Sequence, residues 1–496
     1  FDLTILNVAL PTMAAEIHAG TGAMQWIVDS YTVVFAAAML PAGLIGDRFG
    51  RRRMLVAGLV VFLAGSLLGT LAHSPGPVVA ARTVMGLGGA FVMPLALSVI
   101  PSMFGPGERS KAVAVTSGAM AFGMPLGPLV GGALLAHFWW GSVFLVNIPL
   151  VALSILACVT LLPETRDPQA PRVGAVSTLC AAAGLGLLVF GIIEAPSRGW
   201  GDPLVLGAIA AGAALLAVLV LRERGVERPM LDLALLRQRG FLWNTLAATL
   251  VSFILTGLLF VLPSYLQTVL GHDAFGTGLR LLPMMGGLMA AARAGGPLAR
   301  RYGPRPVISA GLAVLAAAAF LGATTGAGDG YGPTAVWLAI AGAGFGLAIV
   351  PAMDNALGAL PRDRAGSGSG LLQTLRQTGS AIGVAILGSV LAAAYRGRLT
   401  THGLPDGAGH AARDSVVGAH AVAASLGDRA LAASADAAYV HGMDLTLVVC
   451  GVAALAAAAL VAAFLPNPRA ARAQGQPDGG LPESTAVAPT GADARQ

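Results

Sequence analysis

Ionisable residues held inside long apolar runs are the first candidates for chemistry in this 496-residue chain. A charge in hydrocarbon is costly, so one that is kept there is a candidate for moving ions or substrates. Asp2, Asp29 and Arg82 occupy such positions. Asp29 shares a helical stripe with Trp26, Val33, Ala36, Leu40, Gly43 and Asp47, so one face would carry both an acid and a glycine-rich turn. An acid there can exchange a proton against a lipophilic cation, or it can serve as half of a structural ion pair. Asp2 lies about fifteen residues, each rising 1.5 Å, below the outer end of its helix. That depth lets it face a cavity as a proton carrier or meet water at the inner mouth. Arg82 begins another run at nearly the depth of Asp29, and a buried arginine needs a partner. Asp29 or Asn7 is therefore expected within hydrogen-bonding reach of it.

Other groups are candidates for shaping a substrate path. Arg376 and Gln377 lie in a late apolar run and would line a central cavity or join charges at an inner gate. Arg293 and Asp354 sit near helix ends, where Arg can snorkel and Asp can meet water. Trp26, Tyr31, Met120, Phe122 and Met124 suit an apolar cavity for flat cations, although each also suits plain packing. Gly118, Gly123, Gly127, Gly131 and Gly132 surround Pro125 and Pro128 on one run, which can then be a close helix interface, a pivot or both. Cys158, Cys180 and Cys450 fall inside apolar runs without disulfide or metal spacing, so no metal site is expected. No Gly-x-x-x-x-Gly-Lys-Ser/Thr sequence occurs, which argues against direct drive by ATP. Neither a catalytic residue nor a cofactor is expected.

The elements that must position these residues are helices. The chain is 56% hydrophobic and only 11% charged, with a mean hydropathy of +0.76. Fourteen apolar runs of about membrane-crossing length can be counted, opening with 1–17 and 24–46 and closing with 366–395 and 441–465. The runs are continuous rather than alternating, so an all-α polytopic membrane protein is expected rather than a barrel. The net charge of +6 does not point to nucleic acid, because the arginines fall in short loops where they set topology. That placement puts both chain ends on the cytoplasmic side. Phe1 already lies inside the first run, so the first helix reads as truncated.

The loop Gly43–Arg53, with Gly46, Asp47, Arg48, Gly50, Arg51 and Arg52, has a near copy at Gly296–Arg305. Pro94 matches Pro351, and Glu108-Arg109 matches Asp363-Arg364. The three pairs are separated by 253, 257 and 255 residues, a nearly constant offset. It implies two pseudo-symmetric six-helix halves, 1–165 and 240–465, with two helices inserted at 166–239. Repeated halves around a midplane site are the build of secondary transporters. A long outer loop is expected at 397–440, with spacing that permits a short amphipathic surface helix, and a disordered cytoplasmic tail at 466–496.

These residues resemble the major facilitator superfamily, and within it the fourteen-helix drug:proton antiporters. The resemblance rests on Asp2–Pro11 in the first helix, the loop Gly43–Arg53, Arg82-Thr-Val-Met-Gly86-Leu-Gly-Gly89, and the stretch Gly118 to Gly127-Pro128-Leu-Val-Gly131-Gly132. Trp139-Trp140-Gly141-Ser142 departs from the Trp-Arg-Trp that the family usually shows before Phe144–Pro149, so any role of that arginine is missing here.

The resemblance implies proton-coupled efflux of amphipathic, often cationic drugs across the bacterial cytoplasmic membrane, by a monomer, with the proton as coupling ion. Asp2, Asp29 and Arg82 would handle the proton. Asn7, Trp26, Asp29, Tyr31, Met120, Phe122, Arg376 and Gln377 would meet substrate. The loop residues would gate, with Asp47 latching onto the start of the thirteenth helix near Ala365–Gly370 when the cytoplasmic side is closed. Alternatives are a dedicated exporter of one endogenous metabolite, such as an antibiotic or siderophore, and a non-transporting membrane receptor or scaffold.

Overall fold

The computed structural model describes residues 2–103, 123, 126–166, 174–225, 233–326, 328–360, 365–401, 404 and 406–466. Among the described residues the regular structure is helical, with no strand. Lipid offers no partner to backbone N–H and C=O groups, so each apolar run must close its hydrogen bonds within itself. Each of the fourteen expected runs holds a helix. They are α1 (Asp2–Glu16), α2 (Thr21–Phe49), α3 (Arg51–Thr70), α4 (Pro75–Met103), α5 (Leu126–His137), α6 (Ser142–Leu161), α7 (Ala175–Arg198), α8 (Pro203–Arg224), α9 (Arg239–Val269), α10 (Leu282–Tyr302), α11 (Pro304–Gly322), α12 (Tyr331–Gly358) and α13 (Ala365–Arg398). Two short helices, α14 (Asp406–Asp414) and α15 (Val416–Leu426), precede the last crossing, α16 (Arg429–Phe464).

Among the described residues ten of these helices are long and apolar enough to span a bilayer, and α2, bent by 50° beside Pro41, makes an eleventh. Proline removes a ladder hydrogen bond, which accounts for the bend. The remaining three runs hold α1, with 15 residues, α5, described from Leu126 onward, and α10, which carries Arg293, Arg300 and Arg301.

The duplicated loops share a backbone device. Gly50 joins α2 to α3 at φ 116°, and Gly303 joins α10 to α11 at φ 93°. Each donates its N–H to the carbonyl four residues back, Gly46 and Ala299. A side chain would be strained at either φ, so glycine is required twice at the same offset of 253 residues.

α2 packs along α13, and Val33 and Ala36 of α2 share an apolar cluster with Ala381 and Ala385 of α13. Leu185, Val189, Ile192 and Ile193 of α7 join the same cluster, so the inserted helices brace this seam. α7 and α8 pack closely because an added Cβ on Gly212 would meet the backbone of Leu188.

The last crossing begins earlier than its hydropathy implies. Asp428 accepts the N–H groups of Ala430 and Leu431, each at 3.0 Å, and the alanine-rich stretch that follows is helical from Arg429, not from 441. Asp436 and His441 interrupt the apolar pattern without interrupting the helix. The stretch 397–440, whose spacing permits a surface helix, holds the end of α13, α14, α15 and the start of α16. The tail beyond 466 lies outside the described residues.

Candidate functional site

Arg82 has no exposed surface. Its Nη1 donates to Asp2 Oδ2 at 2.6 Å and its Nε to the Ile27 carbonyl at 3.2 Å. Its guanidinium carbon sits 4.3 Å from the centroid of the Tyr31 ring. The second oxygen of Asp2 accepts from Asn147 Nδ2 at 3.0 Å. Three helices thus converge on one ion pair: α1 brings the acid, α4 the arginine and α6 the amide that steadies the acid. Tyr31 supplies the face of a fourth group, from α2, itself stacked on Phe35 at 5.7 Å.

The glycines after Arg82 explain how α4 comes close enough. A Cβ on Gly86 would strike the backbone of Tyr31, and one on Gly89 would lie 2.7 Å from the Tyr31 hydroxyl. Gly88 faces the other way, against the backbone of Phe62 in α3. The motif clears space on two sides of α4 so that a buried cation can be seated between helices.

The expected partner of Arg82 was Asp29 or Asn7; the structure replaces both with Asp2. The reason is azimuth. Ile27 and Tyr31 are one turn apart and face α4, whereas Asp29 lies two residues from each, about 200° around the helix. It falls on the stripe of Gln25, Val33 and Ala36, which turns to α7 and α13. Asp29 has no exposed surface, and among the described residues neither of its carboxyl oxygens has a hydrogen-bond partner. Asn7 is also buried, with Oδ1 unpartnered.

At the arginine-rich end, Asp47 Oδ1 accepts from Arg51 Nε at 2.7 Å, one turn away across Gly50. Glu164 adds a clamp absent from the sequence reading: it accepts the Arg52 N–H at 3.2 Å and lies 3.6 Å from Arg53. A carboxylate beside the first turn of α3 also suits the helix dipole. No hydrogen bond or ion pair joins Asp47 to the start of α13 among the described residues.

At the opposite end the bundle is sealed. Gln25 Nε2 donates to the carbonyls of Val384 and Ala385 at 3.2 and 3.1 Å. Thr21 Oγ1 donates to the Asp414 carbonyl at 2.7 Å, and Gln267 Nε2 to the Val8 carbonyl at 2.8 Å. Gly127 and Gly131 of α5 press on Thr4 and Ile5 of α1, while Gly132 abuts Ala274 and Phe275. Gly278, in turn, meets the Pro128 carbonyl. Gly127, Gly131 and Gly132 thus form a contact ridge on α5.

Residues 1–384 match the sequence model of the Major Facilitator Superfamily. The chain belongs to that superfamily. A tetracenomycin C resistance and export protein of Streptomyces glaucescens is 32% identical, covering 92% of this chain and 88% of its own length. The multidrug efflux pump LfrA of Mycolicibacterium smegmatis is 33% identical over 93% of this chain and 92% of itself. A bacterial homologue of the human lysosomal transporter Spinster, solved inward-facing and unoccupied, shares the fold with a TM-score of 0.63 at 18% identity, covering 94% of this chain and 95% of its own.

In this member of the superfamily the other expected site residues are dispersed. Trp26 packs toward α7, with its ring 6.3 Å from Phe190. Arg376 donates to Ser252 and Gln373, and Gln377 lies one position on, half-buried. Gly123 is half-buried, and Gly118, Met120 and Phe122 lie outside the described residues. No group of metal-binding side chains occurs among the described residues. Asn147, Gln25 and Gln267 were not singled out from sequence. Asn147 did stand in the Phe144–Pro149 segment, whose polar member was a usable signal.

Proposed function

We propose that this chain exports amphipathic, often cationic compounds from the cytoplasm by alternating access, driven by protons. The observation that carries this reading is the Arg82–Asp2 pair, a full cation sealed in the membrane and held by one acid at 2.6 Å. Such a pair is costly to maintain and costly to leave half-made, so protonating Asp2 frees Arg82 from its only anionic partner among the described residues and shifts the balance among α1, α4 and α6. Asp29, buried and without a hydrogen-bond partner among the described residues, is a second acid for which a proton or a cationic guest supplies the missing counter-charge. The two halves 1–165 and 240–465 move against each other, with 166–239 bracing them, and both chain ends lie in the cytoplasm. The sealed end with Gln25 and Thr21 is then the outer one, and the arrangement is inward-facing. The transporter works as a monomer.

The names of relatives favour a second reading, export of one dedicated antibiotic. They include a tetracenomycin C export protein, a probable actinorhodin transporter and a cephamycin export protein, alongside multidrug pumps. Inverted vesicles carrying the protein separate the readings. Acid-inside vesicles should accumulate several unrelated cationic dyes and lose them when the proton gradient is collapsed. Uptake of a single antibiotic class would favour the dedicated exporter, and no gradient-dependent uptake of any compound would refute transport by this mechanism.

A further inference from the structure

Arg376 on α13 is a half-buried charge that the proton mechanism leaves unused. Its Nε donates to Ser252 Oγ at 3.2 Å and its Nη1 to Gln373 Oε1 at 2.5 Å. Both acceptors are neutral, and no carboxylate lies within ion-pair distance among the described residues. Arg82 has Asp2, Arg51 has Asp47 and Arg198 has Glu194. A guanidinium partly withdrawn from water without an anion is costly, and an arriving anion lowers that cost.

Its place in the fold is suited to such an arrival. Residues 379–381 of α13 are buried, and Ala381 and Ala385 are sealed against α2 and α7. Residues 373–378 are each half-buried. Arg376 therefore stands just past the sealed part of the seam, on the arginine-rich side. On α9, Thr245, Thr249 and Ser252 recur at helical spacing on one stripe. The hydroxyl oxygens of Thr245 and Thr249 are buried without a partner among the described residues, and Thr249 lies against Gly379 of α13. A planar cation with forked donors beside unengaged hydroxyls is the donor set that holds a carboxylate or phenolate.

We propose that Arg376, positioned by Ser252, forms with the hydroxyls of Thr245 and Thr249 an oxyanion subsite that recognises the acidic group of an amphipathic substrate. The subsite rests on the export reading above and widens its substrate class from cations to acids and zwitterions.

Tetramethylrhodamine and its methyl ester share one ring system and differ in the carboxylate. Their binding to purified protein in detergent is read by fluorescence anisotropy, and their uptake by inverted vesicles gives a second readout. The wild type should bind the acid more tightly than the ester. Arg376→Gln should weaken acid binding by roughly tenfold or more and erase the preference, as expected for one lost charge-assisted hydrogen bond. Arg376→Lys should recover part of it, since the charge remains without the fork. Equal wild-type affinity for acid and ester would overturn the subsite. So would a loss of the same factor for both compounds in Arg376→Gln, which marks a structural arginine. Arginine-dependent acid binding without gradient-driven uptake would leave the subsite standing and refute the export reading.

Discussion

Arg82 is a cation with no exposed surface, and its three non-covalent partners differ in kind: the carboxylate of Asp2, the carbonyl of Ile27 and the ring of Tyr31. Only the first can change its charge with pH. Asp2→Asn keeps the shape and an amide contact but leaves the guanidinium without an anion. Removing one partner of a buried pair costs roughly 3–5 kcal/mol, and the lower end applies because Asp2 is slightly exposed. Asp2→Asn should therefore lower the melting temperature in detergent and abolish gradient-driven uptake, whereas full coupled transport by the variant would refute the role of the pair. Asp29 predicts a different pattern, because among the described residues it has no hydrogen-bond partner to abandon. Asp29→Asn should leave thermal stability nearly unchanged while reducing uptake of cationic dyes more than of neutral ones; equal losses for both would assign the residue to coupling or folding instead.

At the scale of elements, glycine placement decides which helices can meet. Gly86 faces the Tyr31 backbone, whereas Gly76 on the same helix has nothing within 4 Å. Gly86→Ala should push α4 away from α2 and misplace Arg82, costing about 1–3 kcal/mol by overpacking. Gly76→Ala should be neutral or slightly stabilising, since alanine is the better helix former. Thermal unfolding of the two variants side by side checks this, and equal behaviour would show that the close approach of α2 and α4 is not needed.

For the whole molecule, the decisive feature is that the hydrogen bonds described between α2 and α13 lie at one end of the bundle. Gln25 donates to two α13 carbonyls there, and each such bond contributes roughly 0.5–1.5 kcal/mol. A transporter with nearly balanced states shifts several-fold on that scale. Gln25→Leu should enrich the conformation open at the sealed end, read as longer distances between spin labels on Thr21→Cys and Arg413→Cys. Unchanged distances would mean that apolar packing alone holds the seam. Asp47 belongs to the other end and to the other state. Its partner here is Arg51, and the latch to the start of α13 is proposed for the conformation closed at the arginine-rich end. Asp47→Asn should then slow cycling modestly, by a contribution of about 0.3–1 kcal/mol, with insertion and substrate binding retained. Normal uptake rates in that variant would remove the latch.

The sequence by itself determined the helical membrane fold and the repeated loop. Those follow from local quantities: run length against bilayer thickness, arginine in short loops, glycine where φ must be positive at Gly50 and Gly303. It also marked Asp2, Asp29 and Arg82 as costly and therefore worth explaining. Who pairs with whom was decided only in the tertiary structure. Depth is linear in residue number, but partner choice depends on rotation about each helix axis and on which helices are neighbours. Asp29 and Arg82 therefore looked level along the chain, yet 200° of turn separated Asp29 from the face of α2 that meets α4. Asn147, 145 residues from Asp2, reached it because α6 packs beside α1 and α3. The seam was illegible for the same reason, since Gln25 bonds to backbone carbonyls of α13, groups that every residue carries and no sequence pattern distinguishes.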